Sequence, residues 1–277
     1  MSIFFVTYMV DGLQVKGYLG LPEASVVNAA ALSEWFRDVS EVDIPLSRNV
    51  ARKASGPDLS AWPALIYCRG GLGRVGAVKL DWIQSFAEQG FVVFAPCYRG
   101  NEGGQGRDEF GGADVADVTD AIRILQQVGF VKADRISLLG FSRGAINAFG
   151  AARIVPEIHR VVTWGGVADL AAIYEERQDL RRMLRRVLGG TPTRVPEAYV
   201  SRSPLSMAPY IYQPVLIVHG TEDIQVSVSH ATRLHHLFTE LERDATLWLC
   251  DGYGHHLPPA VHASVVKRMM DWVRHAD

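Results

Sequence analysis

Two rhythms of apolar residues alternate along the chain, and that alternation sets the expected architecture. Residues 3–8 and 14–20 are apolar-rich and flank Asp11-Gly12, a dipeptide suited to a tight turn, so they predict an antiparallel β-hairpin. From Ala64 the pattern becomes regular: ALIYC predicts a strand, residues 77–89 a helix stopped by Gly90, and FVVFAP a second strand. Residues 113–128 put Val115, Val118, Ile122 and Leu125 on one helical face, and residues 135–139 predict the next strand. Strands at 160–164, 214–218 and 246–250 then alternate with helices near 142–155, 228–241 and 259–275. Short apolar strands separated by helices predict an α/β fold. Its central sheet is mostly parallel, with helices on both faces and an N-terminal antiparallel hairpin.

Two stretches interrupt this order. In residues 22–62 a short helix is expected over Ala29 to Phe36, and the Pro, Ser and Asn content that follows predicts an irregular excursion. Residues 167–213 form a helical insertion, in which Leu180, Met183, Leu184, Val187 and Leu188 share one face. Arg181, Arg182, Arg185 and Arg186 then make the polar face, with Glu175, Glu176 and Asp179 nearby to balance them and no interleaved aromatics. A solvated helix face is expected there rather than a phosphate-binding one. Neither stretch reads as a linker and no internal repeat is present, so residues 1–277 are expected to form a single domain.

Composition narrows the function classes. Hydrophobic residues make up 48% and charged residues 21%, enough apolar material for a large core. With 28 basic against 30 acidic residues and a net charge of −2, there is no overall field favouring nucleic acid or an anionic membrane. Cys68, Cys97 and Cys250 each end a predicted strand and lack C-x-x-C spacing, which points to reduced thiols rather than a disulfide framework or zinc site. The opening MSIFFVTYMVDG has no basic leader region, and no run of about eighteen apolar residues occurs. A cytoplasmic protein is expected.

Two glycine motifs compete for the chemistry. Gly71-x-Gly73-x-x-Gly76 has the spacing of a dinucleotide-binding turn, but such a site needs a carboxylate about 20 residues on, at the end of the next strand. That strand reads FVVFAPCY, so no cofactor is expected. The second motif, Gly140-Phe141-Ser142-Arg143-Gly144, lies directly between a predicted strand and the helix AINAFGAARIV. A serine at such a turn presents its hydroxyl at the sheet edge, beside a helix N-terminus whose free N–H groups favour negative charge. The Arg143 amide is then a natural oxyanion donor. The competing role for Ser142 is a plain helix N-cap.

A nucleophilic serine needs a base, and the base needs an acid to orient it. The strand at 214–218 runs into His219-Gly220-Thr221-Glu222-Asp223, and the strand at 246–250 into Asp251-Gly252-Tyr253-Gly254-His255-His256. The order Ser142, Asp223, His255 is that of α/β-hydrolases. Asp223 is preferred over Glu222 for its shorter side chain at a loop tip. His255 is preferred over His256 because the glycines around Tyr253 let the next side chain turn back. Arg69, Arg74 and Arg99 lie near enough in sequence to meet an anionic substrate, with stacking or salt-bridge roles as the alternative.

The chain resembles the catalytic domain of prolyl-oligopeptidase-family serine hydrolases. The resemblance rests on VDGLQVKGYLGLP, YCRGGLG, APCYRGNEGGQG, GGADVADVTDAIRIL, GFSRG, YEERQDLRRMLRRVLGGTP, PVLIVHGTEDIQV and GYGHH in that order. It implies an α/β-hydrolase fold with Ser142, Asp223 and His255 as the triad. It also implies that the Gly71 amide is the second oxyanion donor, in a loop that commonly reads His-Gly-Gly-Pro in relatives and here reads Arg69-Gly70-Gly71-Leu72. Family peptidases carry a β-propeller for which this chain has no room, and the acidic pair that binds a peptide N-terminus is missing.

The expected activity is therefore that of an esterase-like serine hydrolase, cleaving a small acyl ester or amide through an acyl-enzyme. The alternative is a serine peptidase acting on short peptides, and a remoter one is a non-catalytic binding protein of the same fold. No metal, nucleic acid or membrane partner is expected.

Overall fold

A computed structural model of the chain describes residues 1–23, 27–42 and 61–275. Strands β1 (Ser2–Val10) and β2 (Leu13–Leu21) form the expected hairpin, and both turn residues, Asp11 (φ 50°) and Gly12 (φ 78°), are left-handed. Positive φ at both positions is the two-residue turn whose twist matches the strands. A short helix α1 (Ala29–Leu32) follows, capped by the Asn28 side chain, which accepts from the Ala31 N–H (3.0 Å).

Strand β3 (Asp38–Val42) then pairs antiparallel with β1. This corrects the expectation of irregular chain there. DVSEV offers only two apolar residues and forms an exposed sheet edge, so it carries little hydrophobic signal. The rest of that predicted excursion, at 24–26 and 43–60, lies outside the described residues.

The α/β core follows with small boundary changes. It comprises β4 (Trp62–Cys68), α2 (Leu80–Ala87), β5 (Val92–Pro96), α3 (Val115–Gln127), β6 (Val131–Phe141), α4 (Gly144–Ile154) and β7 (Val161–Trp164). The insertion contributes α5 (Leu170–Glu176), α6 (Arg181–Leu188), α7 (Pro196–Val200) and α8 (Pro204–Met207). The chain closes with β8 (Val215–Gly220), α9 (Val228–Glu240), β9 (Ala245–Cys250) and α10 (Pro259–Arg274). Sheet order is β3-β1-β2-β5-β4-β6-β7-β8-β9, parallel from β5 onward and antiparallel before it. This is an α/β-hydrolase sheet.

Alternation along the strands divides the core in two. In β4, Ala64, Ile66 and Cys68 face a cluster with Val118, Ile122, Phe149 and Phe238, whereas Leu65 and Tyr67 face one with Trp82, Phe86, Met269 and Met270. Helices α3, α4 and α9 therefore cover one face, and α2 and α10 the other. All three cysteines are free, and burial pushes the Cys68 and Cys97 thiols up to about 12. Among the described residues, no helix is long and apolar enough to cross a membrane.

Candidate active site

Strand β6 and helix α4 meet at Ser142, whose φ of 56° is left-handed for a non-glycine residue. Such a conformation costs on the order of 1–3 kcal/mol and persists only where the surroundings impose it. Here the Ser142 N–H donates to Trp164 O (3.0 Å), while Ser142 O accepts from the amides of Val167 (3.1 Å) and Ala145 (3.2 Å). The flanking glycines provide space. A Cβ on Gly140 would lie 2.6 Å from the Ala145 nitrogen, and one on Gly144 would collide with the Cys68 carbonyl oxygen. The turn is thus too tight for side chains on either flank, and Ser142 lines a cavity at the C-terminal edge of the sheet.

The loops after β8 and β9 are stitched together. Thr221 N–H donates to Cys250 O (3.1 Å) and Glu222 N–H to Tyr253 O (2.9 Å), which brings Asp223 to His255. His255 Nδ1 lies 2.6 Å from Asp223 Oδ2, and both residues are buried. Asp223 Oδ1 accepts from the amides of Gln225 (2.8 Å) and Val226 (3.0 Å), and His219 Nε2 lies 3.4 Å from Oδ2. Burial alone would raise the carboxyl pKa. The hydrogen bonds from His219, His255 and Val226, with the His255 charge, outweigh it and hold Asp223 well below the usual carboxylate range. The rivals are placed elsewhere. Glu222 is exposed, and His256, also exposed, lines the cavity but lacks the carboxylate contact.

On the opposite wall lies the loop Arg69–Leu72, packed so close that a Cβ on Gly70 would sit 2.8 Å from Ser142 Cβ. Two guanidinium groups grip its backbone. Arg69 Nη1 donates to Gly70 O (3.1 Å), with Nη2 on Cys97 O (2.7 Å), and Arg143 Nη1 donates to Gly71 O (2.9 Å). Arg143 also forks onto Asp108 (2.6 and 2.9 Å) and reaches Asp114 (2.7 Å). Its guanidinium stacks on the rings of Tyr98 (4.7 Å) and Phe110 (4.6 Å), and Arg69 also lies on Tyr98 (4.7 Å). Burial would raise the pKa of Asp114, but the Arg143 charge and the bonds from Asn147 and Gly111 keep it lowered.

Two of the nucleotide-like glycines, Gly71 and Gly76, serve this packing. Residues 73–76 form a 3₁₀ turn instead of entering α2 directly, and a Cβ on Gly76 would strike Gly70 O and lie 2.6 Å from Arg69 Nη1. A dinucleotide turn leads straight into its helix so that the N-terminus meets the phosphates, which this one does not do. Among the described residues, no group of three His, Cys, Asp or Glu is placed to hold a metal ion.

The cavity holds about 430 Å³ and exposes Ser142, Gly71, Arg143 and His255 together. Leu72, Phe110, Phe141 and Val226 line it, and the insertion adds Ile173, Arg177, Leu180 and Met183. Among the described residues, no carboxylate lines it. Among the described residues of 22–62, none contributes to it. Of the three arginines singled out from the sequence, Arg69 stacks and braces the loop, and Arg99 pairs with Asp117 (2.8 Å) and Asp11 (3.0 Å). The Arg74 side chain lies outside the described residues. Sequence reasoning missed Tyr98, Asp108 and Asp114. The one signal for the two acids was charge in a glycine-rich segment, GNEGGQGRDEFGGAD, where acids ordinarily face water.

Residues 78–276 match the Prolyl oligopeptidase family. The peptidase YtmA of Bacillus subtilis (strain 168), itself uncharacterized, is 43% identical over 214 residues, 77% of this chain and 83% of that one. Two solved structures share the fold. A puromycin-hydrolyzing peptidase of Mycobacterium tuberculosis superposes with a TM-score of 0.72 at 22% identity, over 96% of this chain and 38% of its own. The acylaminoacyl peptidase of Pyrococcus horikoshii superposes with a TM-score of 0.73 at 16% identity, over 99% of this chain and 42% of its own. The chain thus spans well under half the length of these two structures. With a family match over most of its length and a relative 43% identical, this chain belongs to the prolyl oligopeptidase family of serine peptidases.

Proposed function

We propose that the chain is a serine peptidase that cleaves short peptides through an acyl-enzyme on Ser142. The observation that carries this reading is the 2.6 Å contact between His255 Nδ1 and Asp223 Oδ2 at a cavity that Ser142 also lines. With Nδ1–H donating to the ionised Asp223, the proton-free Nε2 is the base. It takes the Ser142 proton as Oγ attacks the scissile carbonyl, then delivers it to the leaving amine; water repeats the cycle on the ester so formed.

The amides of Gly71 and Arg143 are the proposed oxyanion donors. Gly71 N–H belongs to the same trans peptide as Gly70 O, so the Arg69 bond to that oxygen turns the N–H the opposite way. Arg143 N–H sits at the N-terminus of α4, where the helix dipole favours developing negative charge.

Family membership and a peptidase relative favour amide over ester cleavage, so the peptidase alternative is better supported than the esterase reading. One observation keeps ester cleavage as a second reading: the cavity is largely apolar and, among the described residues, has no carboxylate to hold a peptide amine. A panel of acyl-peptide anilides and simple esters, run on the wild type and Ser142→Ala, tests both. Anilide turnover that drops at least about 10⁴-fold in the variant supports the peptidase. Ester turnover alone rejects it, and unchanged turnover in Ser142→Ala rejects the mechanism.

A further inference from the structure

A second cavity, of about 540 Å³, adjoins the catalytic one, and Leu72 and Met183 belong to the walls of both. It carries Arg107, from the glycine-rich loop after β5, and Arg182 and Arg186, one turn apart on α6. Arg107 Nη2 donates to Arg186 O (3.4 Å), which draws loop and helix together. All three side chains are exposed to solvent.

The acids that should balance them are committed elsewhere. Two carboxylates line this cavity. Asp108 is forked by Arg143, and Asp179 by Arg177 (2.7 and 2.9 Å), both cations of the catalytic cavity's wall. Glu175 pairs with Arg181 (2.7 Å), and Glu176 Oε2 lies 3.2 Å from His230 Nε2. Among the described residues, Arg107, Arg182 and Arg186 form no ion pair with a carboxylate. The face is solvated as the sequence suggested, but the expected balance reaches only Arg181: three guanidinium groups remain in surplus beside a catalytic cavity that, among the described residues, has no acid of its own.

We infer that this second cavity is a carboxylate subsite of the catalytic site, selecting short substrates that carry a carboxylate at one end. The inference rests on the hydrolase reading for the bond that is cut, but its binding chemistry stands on these arginines. Guanidinium groups present planar paired donors to a carboxylate, and an anion here meets uncompensated positive charge within one residue's reach of the catalytic wall. A free peptide C-terminus and an acyl-side acid such as a succinyl cap share this chemistry.

The test separates these sources and does not depend on turnover. Three tetra-alanine peptides are titrated calorimetrically into the Ser142→Ala protein: acetyl-capped with a free C-terminus, succinyl-capped with a C-terminal amide, and acetyl-capped with a C-terminal amide. One carboxylate-bearing peptide is expected to bind about tenfold tighter than the neutral one, with an advantage that shrinks as salt rises. The advantage should vanish when Arg182→Gln and Arg186→Gln are added, with neutral-peptide binding unchanged. Equal affinity for all three peptides, or an advantage that survives the double substitution, overturns the inference. In wild-type kinetics the preference should appear in KM. Failure to cleave any peptide would count against the peptidase reading and leave the binding comparison intact.

Discussion

On the His255 side of the cavity, His255 leans on Asp223, and Asp223 is held in turn by His219 and by the amides of Gln225 and Val226. On the Gly71 side, two guanidiniums, two carboxylates and the rings of Tyr98 and Phe110 form a buried cluster, gripping two backbone carbonyls. The first wall places the groups proposed to react. The second uses charge as scaffolding, because a backbone N–H is aimed only as well as its peptide plane is held. Buried ions are tolerable there since each is multiply paired: Asp108 by Arg143, Asp114 by Arg143, Asn147 and backbone amides.

The comparison predicts different failures on the two walls. Asp223→Asn keeps the shape but removes the charge that fixes the His255 tautomer, so kcat should fall about 10⁴-fold. A loss under about tenfold in stopped-assay kinetics on the anilide would show that another acid orients His255.

Arg69→Met is the smaller lesion and acts at one remove. It leaves Gly70 O and Cys97 O without their donor and frees the peptide that carries the Gly71 N–H. The expected cost is about 10- to 100-fold in kcat, bounded by the 10²–10³ for a lost oxyanion donor, with KM within about twofold. Rates are to be normalised by active-site titration, which removes any unfolded fraction. A purely structural role for Arg69 would lower the titrated fraction and leave kcat per site unchanged. Arg69→Lys, which can reach one carbonyl but not both, should recover part of the rate.

The same contrast explains what could be read from the sequence. The candidate residues Ser142, Asp223 and His255 stood out in the sequence because each follows an apolar run at a glycine-marked turn, so strand period and turn chemistry point at them. The parallel core was legible for the same reason. Strand β3 was not, because an exposed edge needs few apolar residues. The charged cluster was not, because Asp108 and Asp114 lie in a segment whose glycines and charges look like solvated loop. Only the tertiary approach of Arg143, at the start of α4, turns them into core.

The finest discrimination between the walls is in pH. Asp223 has its pKa depressed below the ordinary carboxylate value of about 3.9. A depressed pKa means that the charge, and the hydrogen bond it strengthens, is present above that ordinary value and lost only as pH falls below it. Asp114, on the other wall, is lowered likewise, so neither Asp223 nor Asp114 changes its charge between pH 8 and 5. On the acid side, log(kcat/KM) for the free enzyme should therefore reach a limiting slope no steeper than one, because neither carboxylate takes up a proton in that range. A limiting slope of two in that range would mean that a carboxylate of the site takes up a proton there. Repeating the profile in Arg69→Met should lower the curve without moving its bend, since that substitution disturbs the peptide that presents the amide and leaves the proton acceptor and its acid untouched.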